Sequence, residues 1–442
     1  MTLLVGGTAL SIKFAKGYRP SLKQIALEGT GLLSTTSYPK SAQVFVNDKL
    51  TTVTDDTVYL EPDDYQVKIL KNGFQPWTKT LPIRNELVST ADARLFPALP
   101  TITPLTFYQV SKALISPDNS KVLYLMTESP FASDNGVYIL SLSPNFLGSQ
   151  LTQIADMNTH DYSTAQFFWS PDSSQILAAF VTDNKISSSH LLSPRSFNDP
   201  KNMVDSTFKI PQMIEEWQSQ AVEINLAALK ALPIELAQIA TQSAQNVYFS
   251  PDKEKFFFTA SVDFSLPDSL VKTSLPNINP TAQTRNLKKG EVYVFDLKEY
   301  TNYKIEGVVN SRLHTLLTNV GELIPTMVIT PTPTPSKIVS KTTKTTPVTE
   351  LTTLEKLHII QDQFVPQLSS NLNWYPSNRH LILSTESGLD ILEYDGLNRT
   401  TIINEIIKDN LSFVSPDGNR LIVLSNLNQK ADAYNLFAVD LK

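Results

Sequence analysis

Five histidines, two acidic doublets, a pair of glycines and four tryptophans are the residues of this chain whose types invite a chemical reading. Histidine ligates metals and moves protons near neutrality, but His160, His190, His314, His358 and His380 are scattered and show no metal-ligand spacing. They read as surface or edge-strand residues. Asp55-Asp56 and Asp63-Asp64 offer carboxylates for calcium or for general acid–base work. Both doublets stand where short strands must reverse, and Asp favours turns, so they read as turn formers. Gly29-Thr30-Gly31 lacks the third glycine of a dinucleotide fingerprint and heads a strand. No phosphate-binding loop, nucleophile elbow or H-E-x-x-H occurs. With no cysteine, thiolate zinc sites and thiol nucleophiles are excluded. The sequence therefore designates no catalytic, cofactor-binding or metal-ligating residue, and no single binding residue.

The elements that would have to position any site are long-range ones. The chain has 442 residues, 41% hydrophobic and 18% charged. That length suits a small domain followed by one large repeat architecture. A lightly charged surface built from Ser, Thr, Asn and Gln suits β-structure. The net charge of −6 argues against nucleic acid, whose phosphates need a basic field. Absence of cysteine is compatible with an oxidising exterior.

Residues 1–20 carry the one membrane signal. Met1 to Ile12 is apolar or small throughout. Fifteen helical residues would span roughly 22 Å, short of a bilayer core. Three readings stand: the end of a single-pass anchor that starts upstream, an uncleaved signal-like segment, or an N-terminal strand. Lys13, Lys16 and Arg19 follow the apolar run, which by the positive-inside rule alone would keep that flank cytoplasmic.

From Gly31 to Ile83 short strands alternate with turn formers. Tyr65, Val67 and Ile69 alternate with Gln66 and Lys68, giving one buried and one wet face. Pro39, Ala42, Val44, Val46 and Asn47, then Leu60-Glu61-Pro62 with Tyr65 and Val67, then Lys71-Asn72-Gly73-Phe74, resemble the three signature segments of a PEGA domain. Ser41, Asp48 and Asp63 stand where that family usually has glycine. The resemblance implies a small antiparallel β-sandwich over residues 25–98 and an extracytoplasmic setting.

Beyond a Pro-rich linker at residues 95–104, one hairpin recurs five times. Ser116-Pro117-Asp118, Ser170-Pro171-Asp172, Ser250-Pro251-Asp252, Tyr375-Pro376-Ser377 and Ser415-Pro416-Asp417-Gly418 each follow one apolar strand and precede another. Proline presets φ at the turn corner, Asp or Ser caps the turn, and Gly or Asn suits the left-handed position that follows. Such a hairpin cannot bury its faces alone and needs stacked neighbours. Third strands follow at Val137, Val292, Leu389 and Leu436. The copies at Tyr375 and Ser415 lie 40 residues apart, the length of one propeller blade. The repeat resembles that of TolB-like propellers and implies five or six blades over residues 99–442, with protein docking on a propeller face or in its channel. Asp395-Gly396-Leu397-Asn398-Arg399 resembles a strand-end turn of the same proteins. Trp77, Trp169, Trp217 and Trp374 could line a binding surface, but Trp169 and Trp374 directly precede Pro-turns and read as core.

Two insertions interrupt the repeat. Pro211 to about Thr241, within an insertion at 205–241, places apolar residues at three- and four-residue steps and predicts two short helices split at Pro233. Residues 324–353 are rich in Thr, Pro and Lys and predict a disordered loop. The resulting expectation is an all-β, non-enzymatic, membrane-anchored envelope protein that binds a protein or cell-envelope component and needs no cofactor. The alternative is a propeller-containing hydrolase or an accessory subunit of an envelope enzyme.

Overall fold

Two β-systems follow one another along the chain. A computed structural model describes residues 7–8, 11, 19–21, 26–142, 151–270, 279–318, 351–427 and 433–442. Most of the expected anchor at 1–20 lies outside the described residues, as does 324–350 of the expected disordered loop. No helix among the described residues is long and apolar enough to cross a membrane.

The first system is a sandwich. Asp56–Leu60, Gly31–Tyr38 and Val88–Arg94 form one sheet; Lys49–Val53, Gln43–Val46, Asp63–Leu70 and Trp77–Ile83 form the other. The alternation of Tyr65, Val67 and Ile69 places Val67 and Ile69 in a core with Leu33, Val44, Ala91 and Ala93. One pairing departs from the antiparallel expectation: Gly31–Tyr38 runs parallel to Val88–Arg94. This is possible because the whole second sheet intervenes as a crossover between these strands.

The second system is a propeller of five sheets among the described residues, one per Pro-turn hairpin. Blade 1 is Val110–Ile115, Lys121–Met126, Gly136–Ser141 and Leu151–Asp156; blade 2 is Ala165–Trp169, Ile176–Thr182 and Lys185–Leu192. Blade 3 is Ala244–Phe249, Lys255–Ala260, Val292–Asp296 and Thr301–Ile305; blade 4 is Leu372–Trp374, His380–Thr385, Gly388–Glu393 and Thr400–Ile403. Blade 5 is Ile407–Val414, Arg420–Ser425 and Asn435–Asp440, and its fourth strand is Ile102–Pro104 from the start of the domain. The ring is thus closed by pairing the chain's first propeller strand with its last, which removes an open edge.

Four of the five hairpins share one clasp, and all five share a left-handed residue. Ser116, Ser170, Ser250 and Ser415 each donate an Oγ hydrogen bond to the Asp two residues on, at 2.6, 2.6, 2.6 and 2.5 Å. The same hydroxyls accept the backbone N–H five residues on. The residue after the Asp (Ser in blade 4) is left-handed in every copy: Asn119, Ser173, Lys253, Asn378 and Gly418 have φ of 56°, 58°, 61°, 61° and 71°. In blade 4, Tyr375 replaces the serine and its hydroxyl donates to Gly418 O of blade 5.

Neighbouring blades bury shared cores: blades 1 and 2 around Trp169, blades 3 and 4 around Trp374, blades 4 and 5 around Ile391, and blades 5 and 1 around Phe413. Blades 2 and 3 are different. Between them stand α1 (Ile210–Lys230), α2 (Ile234–Gln238) and α3 (Thr353–Asp362). The N-terminal half of α1, through Ile210, Met213, Ile214 and Trp217, covers blade 2 together with Leu354, Leu357 and Ile360 of α3. Leu229, Leu232 and Leu236 cover Phe256, Phe258 and Phe295 of blade 3. The helices form a wedge in the ring, and Trp217 is core. The first helix is long, 21 residues, with Pro233 just before the second. Thr352 begins α3 with a capping box to Glu355.

Candidate binding mouth and domain junction

In blades 1, 3 and 4 the first-to-second turn and the third-to-fourth connection lie at the same end, because successive strands are antiparallel. The Pro-turns therefore share one face of the ring. On that face Pro117, Pro251, Pro376 and Pro416, from four of the five hairpins, line a cavity of about 510 Å³. Blade 2 does not contribute its proline, which is buried; Ile224, Asn225 and Ala228 of α1 complete the wall. Deeper, Tyr248, Trp374 and Phe413 come from the first strands of blades 3, 4 and 5, and Phe364 and Pro366 also line it.

The cavity is a bowl because the ring's centre is plugged. Val365 lies in the core between blades 5 and 1, and Leu368 packs against both that core and the one between blades 1 and 2. Gln367 Nε2 donates to Ser412 O of blade 5 at 3.1 Å, and Arg312 donates to Leu368 O through Nε and Nη2. A buried polar network ties the plug to the wedge. Leu317 N–H donates to Gln363 Oε1, which fixes the amide orientation. Gln363 Nε2 consequently donates to His314 Nδ1 at 2.9 Å, leaving the ring proton on Nε2, which faces Tyr248 Oη at 2.9 Å. Asn225 Nδ2 of α1 donates to Gln363 Oε1 at 3.0 Å.

Electrostatics follow from that burial. Burial lowers His314 to about 4, so the ring is neutral, and raises the Tyr248 hydroxyl. Burial also raises Asp362 to about 6 against the attraction of Arg312, 3.3 Å away. In the Pro-turns the Asp118, Asp172 and Asp417 carboxyls are pushed up by burial. Hydrogen bonds from their Pro-turn serines and following residues outweigh this and hold them below the usual range. The bowl is thus largely apolar, with the Asp118 carboxylate and Lys253 among its lining residues.

The sandwich docks on the same face, at blades 4 and 5. Trp77 Nε1 donates to Glu393, Thr78 N–H to Asn398 Oδ1 at 3.0 Å, and Lys79 Nζ reaches Glu393 at 3.1 Å and Asp395 at 2.5 Å. The Asp395–Arg399 turn does make its hairpin connection, and it also receives the sandwich. Burial pushes Asp395 up, but Lys79 with Asn279 and Thr281 holds it below the usual range. Arg94 lies between the Tyr38 and Tyr375 rings, 4.9 Å from each centroid, and donates to Gly418 O at 2.7 Å. Arg379 pairs with Asp92.

The residues singled out from sequence are spread over the molecule. Asp55 accepts from Ser37 N–H and pairs with Lys40; Asp56 accepts from Thr52; Asp64 pairs with Arg84. Gly31 begins a strand. The histidines differ from expectation in burial: His190, His314 and His380 are buried, the last lowered to about 3 by burial. His160 and His190 lie side by side. No group of three or more His, Asp or Glu among the described residues is arranged to hold a metal.

These features define a class: a β-sandwich locked onto a plugged propeller, with five blades among the described residues. Residues 30–98 match the PEGA domain family, covering the sandwich. No curated protein matches the chain in sequence. Solved propellers resemble it distantly. A protein from Agrobacterium tumefaciens assigned as a TolB is 11% identical, with 75% of this chain and 78% of that one covered and a TM-score of 0.22. TolB from Acinetobacter baumannii is 10% identical, over 86% of this chain and 60% of that one, with a TM-score of 0.20. The β-propeller domain of a Myceliophteria thermophila protein is 9% identical, over 78% and 100%, with a TM-score of 0.23. The propeller assignment stands on the five blades and their closure.

Proposed function

We propose that this protein is a non-catalytic binding scaffold of the cell envelope, attached to a membrane through its N-terminal segment, and that its bowl holds an apolar segment of a protein partner. The observation that carries this reading is the proline-lined bowl, whose lining includes Phe364 and Pro366. Concave apolar surfaces with a few convergent polar groups are where proteins take ligands. A PEGA domain fixed beside the bowl supports an envelope setting. It would give the partner a second surface at constant distance.

The test is capture from envelope extracts by the soluble body, comparing wild type with Ile224→Arg and Lys253→Glu, both at the bowl. The reading expects a partner that wild type retains and both variants lose at unchanged melting temperature. Equal capture by all three would refute it. The competing hydrolase reading expects turnover of a peptide or glycoside library that disappears in Asp118→Asn.

A further inference from the structure

His190 lies in the third strand of blade 2, and His160 in the crossover from blade 1. Thirty residues apart in sequence, their ring centroids are 4.2 Å apart, with the planes inclined at 59°. His190 is 6% exposed, and its Nδ1 is buried without a hydrogen-bond partner. Tyr162 and Phe180 close around it edge-on, at 6.3 and 5.4 Å between centroids. Buried imidazole nitrogens ordinarily find a partner. Here the neighbouring rings supply none, and His160, half-buried, leaves the pair open on one side.

From this geometry we infer that His160 and His190 form a two-nitrogen site for a square-planar or tetragonal divalent transition metal, Cu²⁺ or Ni²⁺, completed by water. Metal–imidazole bonds of about 2.1 Å, with the nitrogen about 1.1 Å from its ring centroid, put each centroid roughly 3.2 Å from the ion. Two imidazoles in adjacent positions, at a right angle, then have centroids about 4.5 Å apart, whereas a tetrahedral ion needs about 5 Å. The observed separation sits closer to the right-angled case, which favours Cu²⁺ and Ni²⁺ over Zn²⁺. Asp205 supplies nearby negative charge: its Oδ1 accepts from Ser189 N–H and Thr207 N–H and holds the carboxylate beside the strand.

The experiment uses untagged full-length protein, titrated with glycine-buffered Cu²⁺ by calorimetry and read by electron paramagnetic resonance. One ion per chain with superhyperfine splitting from two imidazole nitrogens is expected, with Zn²⁺ at least ten-fold weaker. His160→Phe, which keeps an aromatic ring at a half-exposed position, should weaken Cu²⁺ at least ten-fold and remove one nitrogen from the spectrum; His190→Phe should do the same. Thermal melts establish that each variant is folded. If His190→Phe fails to fold, His160→Phe alone decides. Absence of binding, a single-nitrogen spectrum, or affinity unchanged in His160→Phe would overturn the assignment.

Discussion

Lys79 Nζ of the sandwich lies between two propeller carboxylates, 3.1 Å from Glu393 and 2.5 Å from Asp395. Its side chain is 9% exposed and that of Asp395 is 0% exposed. A buried pair of this kind adds little over an apolar replacement, but breaking it strands a buried charge. Together with Trp77 and Arg94 it makes the two domains one body.

Lys79→Met should therefore cost about 3–5 kcal/mol, measured by denaturant unfolding. Replacing Asp395 by Leu in the same chain should recover part of the loss. The wild-type contribution also depends on pH. Asp395 has a depressed carboxyl in the folded state, so its stabilisation is fully present above the unfolded value near 3.8 and is lost as pH falls from there through the lower folded value. Junction-specific melting should begin below about pH 4.

Asp362 has the opposite sign. Its folded value of about 6 exceeds the ordinary 3.8. The folded state holds a proton that the unfolded state has released, so stability falls as pH rises from about 4 to 6. Asp362→Asn should flatten that slope and leave the protein as stable as wild type, or more so by on the order of 2 kcal/mol, at pH 7. Arg312, 40% exposed, stays solvated. Urea midpoints at pH 4.5 and 7 check this; a variant less stable at pH 7 would contradict it.

Ser173 and Lys253 occupy left-handed positions where Asn119, Asn378 and Gly418 stand in the other copies. A left-handed conformation costs an L-residue roughly 1–2 kcal/mol, partly offset by the entropy glycine loses on folding. Ser173→Gly is also charged with losing the hydroxyl that accepts from Asp118 N–H. Lys253→Gly is thus the cleaner test and should stabilise by about 0.5–1 kcal/mol, read as a raised melting temperature.

Ring closure makes a fourth prediction. Ile102–Pro104 pairs with Asn435–Asp440, so mutating the pair region should act on the whole propeller. Ala438→Pro removes the backbone N–H of a central strand and should collapse cooperative unfolding of all five blades, followed by tryptophan fluorescence. Loss confined to blade 5, with Trp169 emission unchanged, would argue against a closed ring.

Much of the blade architecture was legible because a Pro-turn hairpin is a local code: φ preset by proline, a serine–aspartate clasp, a left-handed residue. The sandwich was legible through alternation and turn residues. The wedge was not, since α1 meets α3 across more than a hundred residues and nothing local says which face of a helix replaces a blade. The bowl was hidden for a related reason. Its prolines read as turn makers, and they converge only when the ring closes. Lys79 and Asp395 lie 316 residues apart, and the Trp77 and Asp395–Arg399 segments were visible separately without a signal that they meet. The burial of His190, His314 and His380 was hidden too, because no local pattern says which residues a neighbouring strand or blade will cover.

Photo-crosslinking from position 224 addresses the bowl most directly. A photoreactive side chain replacing Ile224, 45% exposed on α1, should yield one discrete protein adduct in intact envelopes, lost on adding Lys253→Glu. The same group at Val204, 70% exposed and outside the bowl, should not yield it. Adducts identical from both positions, or none from position 224, would contradict a binding role for the mouth.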